Sequence, residues 1–287
     1  MDSRTGRQGS VSARGEDRGM ALTNIQREVC RLIARQRIAS GESYVAGGAA
    51  LNTILDAPRI SQDLDLFHDT VAALAATWDA DRAALLGAGC EIEVVRERPA
   101  FVEAIVRRGA ESVILQWTHD SAFRFFPLVE HPELGLTLHP FDLATNKVLA
   151  LVGRVEARDW IDVLRCDSAV QPLGYLAWAA TGKDPGLAPD AILQEAGRSA
   201  RYSAVEIAAL AFDGPAPDAA DLSRQWHAVL ENATQIVALL PYRNVGQCVL
   251  RGGELFRGDG AALRHALARG EIRFHAGSIR GAFPQII

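Results

Sequence analysis

The residues best suited to chemistry lie in one short stretch, Ser61-Gln62-Asp63-Leu64-Asp65-Leu66-Phe67, where polar and apolar residues alternate. A period of two predicts a β-strand, with Ser61, Asp63 and Asp65 on one face and Ile60, Leu64 and Leu66 on the other. Two carboxylates side by side on a strand repel each other, and a divalent cation held by both relieves the repulsion. Upstream, Tyr44-Val45-Ala46-Gly47-Gly48-Ala49-Ala50-Leu51-Asn52 reads as a short apolar strand, a glycine turn and a helix over Ala49 to Leu55. Gly47 and Gly48 let the backbone come close to phosphate oxygens, and amides at a helix start attract negative charge. A metal-binding pair beside a phosphate cradle points to nucleotide chemistry. An Asp-x-Asp alone also occurs on solvated strand ends; the glycine pair at this distance is what favours a site.

A second set of residues lies in Asp142-Leu143-Ala144-Thr145-Asn146-Lys147, then Arg154, then Arg158-Asp159-Trp160-Ile161-Asp162. The chain holds 30 Lys and Arg, yet only Lys147 and Lys183 are lysines. Where nearly every other basic residue is Arg, a lysine marks a place that needs a compact ammonium, which meets a triphosphate as a point charge. On a helix Lys147, Leu151 and Arg154 form one stripe that could face phosphates. The competing reading is a surface lysine paired with an acidic neighbour. Asp159 and Asp162 fall on one side of the following helix, and Arg158 is spaced to neutralise Asp162 at i,i+4, either for function or as a structural pair.

Taken together, Gly47-Gly48, the Ser61-x-Asp63-x-Asp65 strand, Asp142-x4-Lys147 and Arg158-Asp159-x-x-Asp162 resemble the AbiEii/MenT type of nucleotidyltransferase toxin within the polymerase-β-like superfamily, over about Tyr44 to Leu164. The glycines are adjacent, unlike the G-x-G-x-x-G of dinucleotide folds, and Phe67 stands where the Asp-x-Asp-x-Thr of aspartate-nucleophile phosphatases has Thr. The resemblance implies an α+β core and transfer of a nucleoside monophosphate from an NTP to a hydroxyl acceptor. Asp63 and Asp65 would hold Mg²⁺ or Mn²⁺. Gly47, Gly48, Ser61, Lys147 and Arg158 would bind the nucleotide, and Asp162 would orient Lys147 or take a proton from the acceptor. A tRNA 3′ end is the implied acceptor, and a cognate antitoxin the implied partner. The family's third carboxylate is missing from the strand Ser112 to Asp120, where Gln116 stands in its place; either Asp120 takes the role by a shift or no third ligand exists. The rival readings are a nucleotidyltransferase acting on an antibiotic or sugar, and a catalytically silent binding module of the same fold.

Helical periodicity over Leu22 to Ser40, opened by Thr23, and over Val71 to Leu86 frames this core. Alternation at Ile92 to Val95, Phe101 to Val106, Val113 to Trp117 and Ala122 to Phe126 predicts further strands of one mixed sheet. From Phe141 helix-like segments follow one another, with breaks at Gly182 to Pro189 and Gly214 to Pro217. The expected organisation is a disordered, arginine-bearing extension over 1–20, a nucleotidyltransferase core over 21–140 and a mainly helical domain over 141–287. Within that last part the short apolar runs at Val249-Leu250 and Ile272 to Phe274 do not declare their type. No apolar run reaches the roughly 20 residues of a membrane span, and nothing at the start resembles a secretory signal, so the expected location is the cytoplasm. Cys30, Cys90, Cys166 and Cys248 are too scattered for zinc or a disulfide framework. The net charge of −5 argues against a strongly basic nucleic-acid binder, although six arginines from Arg251 to Arg280 form a basic stretch that could guide an RNA backbone.

Overall fold

The Thr23 hydroxyl and the Gln26 side chain cap each other's amides at 3.3 and 2.8 Å, a capping box that opens helix α1 (Asn24–Ser40). This computed structural model describes residues 22–198 and 202–284, so the extension expected over 1–20 lies outside the described residues. After α1 come β1 (Ser43–Ala46), α2 (Gly47–Ile54), β2 (Asp63–His68), α3 (Val71–Gly87), β3 (Glu91–Arg98), β4 (Phe101–Arg108), β5 (Glu111–His119), β6 (Phe123–Arg124), β7 (Val129–His131) and β8 (Gly135–Thr137). Seven of these strands form one mixed sheet in the order β3-β4-β5-β2-β1-β8-β7. The fold is α+β, and the Asp-bearing strand β2 lies inside the sheet, antiparallel to β1 and parallel to β5.

One face of this sheet is apolar and covered. Leu64, Leu66, Val102, Ala104, Leu115 and Trp117 are buried there, and Trp117 meets Trp78 of α3 edge-on at 4.7 Å between ring centres. Arg37 of α1 and Asp81 of α3 form a fully buried ion pair of 2.5 Å, and Trp117 Nε1 donates to the same carboxylate at 2.8 Å. The opposite face carries the row Glu103, Gln116, Asp65 across β4, β5 and β2, and beside it Ile105, Ile114 and Asp63. Ile114 is 39% exposed there, and the Arg96 guanidinium lies 5.6 Å from the Phe101 ring centre.

The helices then run α4 (Pro140–Arg154), α5 (Ala157–Ala169), α6 (Leu173–Ala180), α7 (Pro189–Gly197), α8 (Ala204–Ala208) and α9 (Ala219–Leu239), followed by β9 (Gln247–Arg251), β10 (Glu254–Leu255), α10 (Gly260–Ala268), β11 (Ile272–Ala276) and β12 (Ser278–Ile279). The undeclared apolar runs are thus strands of a small antiparallel sheet, β10-β9-β11. The segment Ala122 to Phe126, expected in the main sheet, contributes only β6, which pairs with β12 instead. The cause lies in the next two residues: the amides of Phe125 and Phe126 donate to the buried Asp142 carboxylate at 2.9 and 3.0 Å and leave no ladder to extend. All four cysteines are free and buried, and no helix among the described residues is long and apolar enough to cross a membrane.

Several of the six arginines of the basic stretch near the end have partners within the protein. Arg251 and Arg269 share Glu271, Arg257 donates to the Ser168 carbonyl, Arg273 to that of Gly270, and Arg280 pairs with Glu42 and Asp69.

Removing one member of a buried pair leaves the other as an uncompensated charge. Asp81→Ala should therefore lower unfolding stability by about 3 kcal/mol or more in a urea titration, because among the described residues Arg37 pairs with no other carboxylate.

Candidate active site

Along β2 the side chains alternate, with Leu64, Leu66 and His68 buried and Asp63, Asp65 and Phe67 partly open. Asp65 stands in register between Ala46, the last residue of β1, and Gln116 of β5. The chain turns away from β1 at Gly47 with a φ of 66°, and a Cβ there would lie 1.7 Å from Asp65 Oδ2. Only glycine tolerates both the turn and that carboxylate. A Cβ on Gly48 would meet Arg59 Nη2 at 2.8 Å and Ser61 Oγ at 2.9 Å. The helix starts at the glycines, earlier than the expected Ala49, and no side chain caps it. Its first amides thus lack side-chain partners, and both glycines line the cleft.

That cleft has a volume of about 270 Å³. Its lining brings Asp63 and Asp65 of β2 together with Lys147, Arg154 and Arg158 of α4 and α5, whose charges act on Asp65. Phe67 of β2, Gln116 of β5, and Leu143, Asn146 and Ala150 of α4 also line it. The α4 stripe is shifted from the expected one: Ala150 lines the cleft, whereas Leu151 is fully buried.

Behind the cationic wall runs a chain of alternating charges. Arg59 donates through Nε and Nη2 to the two oxygens of Asp162, both at 2.7 Å. Lys147 Nζ lies 2.9 Å from Asp159 Oδ1 and 3.1 Å from Asp162 Oδ2. Arg154 closes the chain on Asp159 with two bonds of 3.1 Å. Burial opposes the Lys147 charge, but Asp162 and Asp159 outweigh it and hold its pKa above the ordinary lysine value. The turn that swings α5 back to make these contacts is sharp. Val155 adopts a left-handed conformation at φ 54°, which is uncommon for a β-branched residue.

Two expectations are corrected here. Arg158 does not neutralise Asp162; it lines the cleft and pairs with Glu156 at 2.6 Å, because Arg59, more than a hundred residues upstream of Asp162, holds both carboxylate oxygens. Asp120 does not move into the place of a third carboxylate: it lies outside the cleft and accepts from the Ser121 amide at 2.7 Å. Gln116 lines the cleft and donates to Glu103 Oε2 at 2.8 Å. Ser61 is buried, and its hydroxyl donates to Asp63 Oδ1 at 2.8 Å, so it supports the carboxylate and does not line the cleft. Asp162 is likewise buried behind the wall. Arg59 was missed by the motifs, since nothing in its local sequence announces a partner on a distant helix.

The donor set fits a divalent cation. The Asp65 pKa is pushed up to about 6, first by burial and then by the neighbouring Asp63 charge, the signature of two anions held together without enough compensation. No group of three or more His, Cys, Asp or Glu converges among the described residues. A hard cation at Asp63 and Asp65 would therefore take further oxygens from substrate and water, as Mg²⁺ commonly does.

No family profile matches the chain, and no curated protein matches it. Among solved structures it is similar to a candidate nucleotidyltransferase from H. pylori (TM-score 0.49, 14% identity, 76% of this chain and 96% of that one). It is similar also to JHP933 from Helicobacter pylori (0.49, 14%, 76% and 95%). A third is MenT4, a nucleotidyltransferase toxin from Mycobacterium tuberculosis H37Rv (0.47, 12%, 76% and 85%).

The strained carboxylate gives a prediction on stability. With a folded pKa near 6 against an ordinary 3.8, Asp65 binds its proton more tightly in the folded state, so its charge weakens the metal-free fold above pH 6 and ceases to do so as the pH falls towards 4. Asp65→Asn should raise metal-free stability at pH 7 by about 2 kcal/mol. That advantage over the parent should vanish in melting curves taken towards pH 4. An equal advantage at pH 4 and pH 7 contradicts the assignment.

Proposed function

We propose that this chain is a metal-dependent nucleotidyltransferase that moves a nucleoside monophosphate from an NTP to a hydroxyl acceptor and releases pyrophosphate. The observation that carries the reading is the division of charge across the cleft, with Asp63 and Asp65 on one wall and Lys147, Arg154 and Arg158 on the other. A triphosphate needs both: cations for its own oxygens, and carboxylates for the metal that accompanies it. Bound at Asp63 and Asp65, Mg²⁺ or Mn²⁺ supplies charge neutralisation for the transferring phosphoryl group. The acceptor hydroxyl oxygen forms a bond to the α-phosphorus and releases its proton to solvent water while the bond to pyrophosphate breaks, so no covalent nucleophile on the protein is required. Gly47 and Gly48 give the phosphates a close approach to backbone amides. Lys147 stabilises developing charge on the transferring group. Asp162 is saturated by Arg59 and Lys147, which favours its role as a positioning group for the ammonium over that of a proton acceptor.

For the acceptor we favour a tRNA 3′ end. The sheet face beside Asp65 leads from the cleft across Gln116 and Glu103 to Phe101, with the Arg96 guanidinium over its ring, and a partly exposed ring with a guanidinium suits a stacked base and its phosphate. The motif resemblance supports a cytoplasmic toxin role with an antitoxin as partner.

Asp63→Asn should abolish labelled-NTP transfer to tRNA while leaving the melting curve native-like, because the amide keeps the shape and loses the charge. Transfer to a small metabolite in place of tRNA would refute the acceptor, and full activity of the variant in Mg²⁺ would refute the metal site. Lys147→Arg should slow single-turnover transfer on the order of a hundredfold, a loss of about 3 kcal/mol, since a planar fork cannot occupy the point between Asp159 and Asp162.

A further inference from the structure

Asn146 lines the cleft one residue before Lys147 and takes no part in the charge chain. Its Oδ1 accepts a hydrogen bond of 2.7 Å from Lys183 Nζ. The same ammonium lies 2.8 Å from Asp142 Oδ1 and donates to the Asp142 carbonyl oxygen at 3.3 Å. It also lies 5.9 Å from the centre of the Phe125 ring. Asp142 can only accept here, because its carboxylate already takes the amides of Phe125 and Phe126. Burial lowers the Lys183 pKa, and the Asp142 charge opposes that fall. An ammonium has three donors and no acceptor, and these three oxygens use all of them.

The orientation of an amide side chain is usually open, because its oxygen and nitrogen exchange on a half-turn. Here the half-turn would set the Asn146 amino group against the Lys183 ammonium, donor on donor. Oδ1 is therefore committed to Lys183, and Nδ2 is left for the cleft. Among the described residues that nitrogen makes no hydrogen bond within the protein, and it is not a buried orphan either. Phosphates are drawn to Lys147, Arg154 and Arg158, and the uncharged lining left for the nucleoside is Phe67, Gln116, Leu143, Asn146 and Ala150 beside the two glycines. Lys183 is linked in turn to the strand that carries Phe67: its ammonium lies over the Phe125 ring, and the adjacent Arg124 pairs with Asp69, two residues beyond Phe67, at 2.8 Å.

Resting on the reading of this cleft as an NTP site, we propose that Asn146 determines specificity by donating from Nδ2 to a carbonyl oxygen of the nucleobase, and that Lys183 is the positioning residue that keeps this donor turned to the base. A base with a carbonyl at that edge completes the bond. One that carries an amino group there sets two donors against each other and leaves both desolvated, a mismatch that binding sites reject strongly. Arginine would not serve at position 183, since its planar fork cannot direct three donors at oxygens gathered around one point.

Asn146→Asp tests this directly. The change is isosteric, replaces the donor by an acceptor and adds an anion beside Lys183, so the fold is kept. The measurements are kcat and KM for ATP, GTP, CTP and UTP, together with Mn²⁺-dependent NTP binding by thermal shift. The parent should separate the four NTPs by at least about tenfold, and the variant should lose at least about tenfold on the preferred one, through KM with kcat within about threefold, while gaining on a base with an amino group at that edge. Lys183→Met frees the amide to turn and should narrow the spread among the four to about threefold. A parent that uses all four alike, or variants with unchanged ranking and KM, would overturn the inference and leave the nucleotide site standing. A parent that binds no NTP at all would overturn both.

Discussion

The buried chain of charges from Arg59 through Asp162, Lys147 and Asp159 to Arg154 is the interaction on which the cleft depends. Three cations surround two carboxylates, so each anion is shared and the set keeps a net positive charge facing the cleft. Desolvation makes such a network a poor source of stability. What it supplies is position. Arg59 belongs to the loop before β2, Lys147 to α4 and Asp159 and Asp162 to α5, so three segments are held at one point and none can shift without exposing an unpaired charge. The anionic wall is fixed differently, by the backbone. Asp65 has its place because Gly47 lacks a Cβ, and Asp63 is held by the Ser61 hydroxyl. One wall is thus held by ion pairs and the other by sterics and a hydroxyl, so the first is internally compensated and the second is not.

This asymmetry accounts for the pattern of pKa values. Lys147 is buried yet stays charged, because two carboxylates lie within about 3 Å. Asp65 lies deep in the cleft beside another carboxylate, and desolvation with the Asp63 charge outweighs the pull of Lys147, Arg154 and Arg158, so its proton is held more tightly. A carboxylate in such surroundings favours a neighbour that carries positive charge, and the backbone that sets its place need not move to receive one.

Much of the anionic wall was legible in the sequence because it depends on short-range rules. A period of two places Asp63 and Asp65 on one face, and adjacent glycines before a helix mark a close approach. The cationic wall was half legible. The rarity of lysine singled out Lys147, but helical spacing suggested Arg158 as the partner of Asp162, when Arg59 in fact holds it. Pairing across so many residues depends on how α5 is folded back by the Val155 turn, and no local signal encodes that. The same limit applies to β6: alternation over Ala122 to Phe126 reads as a strand, yet Asp142 captures the two following amides and ends it. Short strands such as β9 and β11 declare themselves only once a partner exists, since two or three apolar residues fit any element.

The two lysines close the argument, because both are placed where one point must meet several oxygens. Lys147 sits between Asp159 and Asp162 and still lines the cleft. Lys183 gathers the Asp142 carboxylate, the Asp142 carbonyl and the Asn146 amide. Elsewhere arginine does the work of a forked donor, as at Arg59 on Asp162 and Arg124 on Asp69, where two parallel bonds meet one carboxylate. The division follows from geometry. A fork suits a flat pair of oxygens, while an ammonium suits a cluster around a point. A chain that uses arginine almost everywhere else has kept lysine at the two positions where only the second shape fits, and both lie on or directly behind the wall of one cleft.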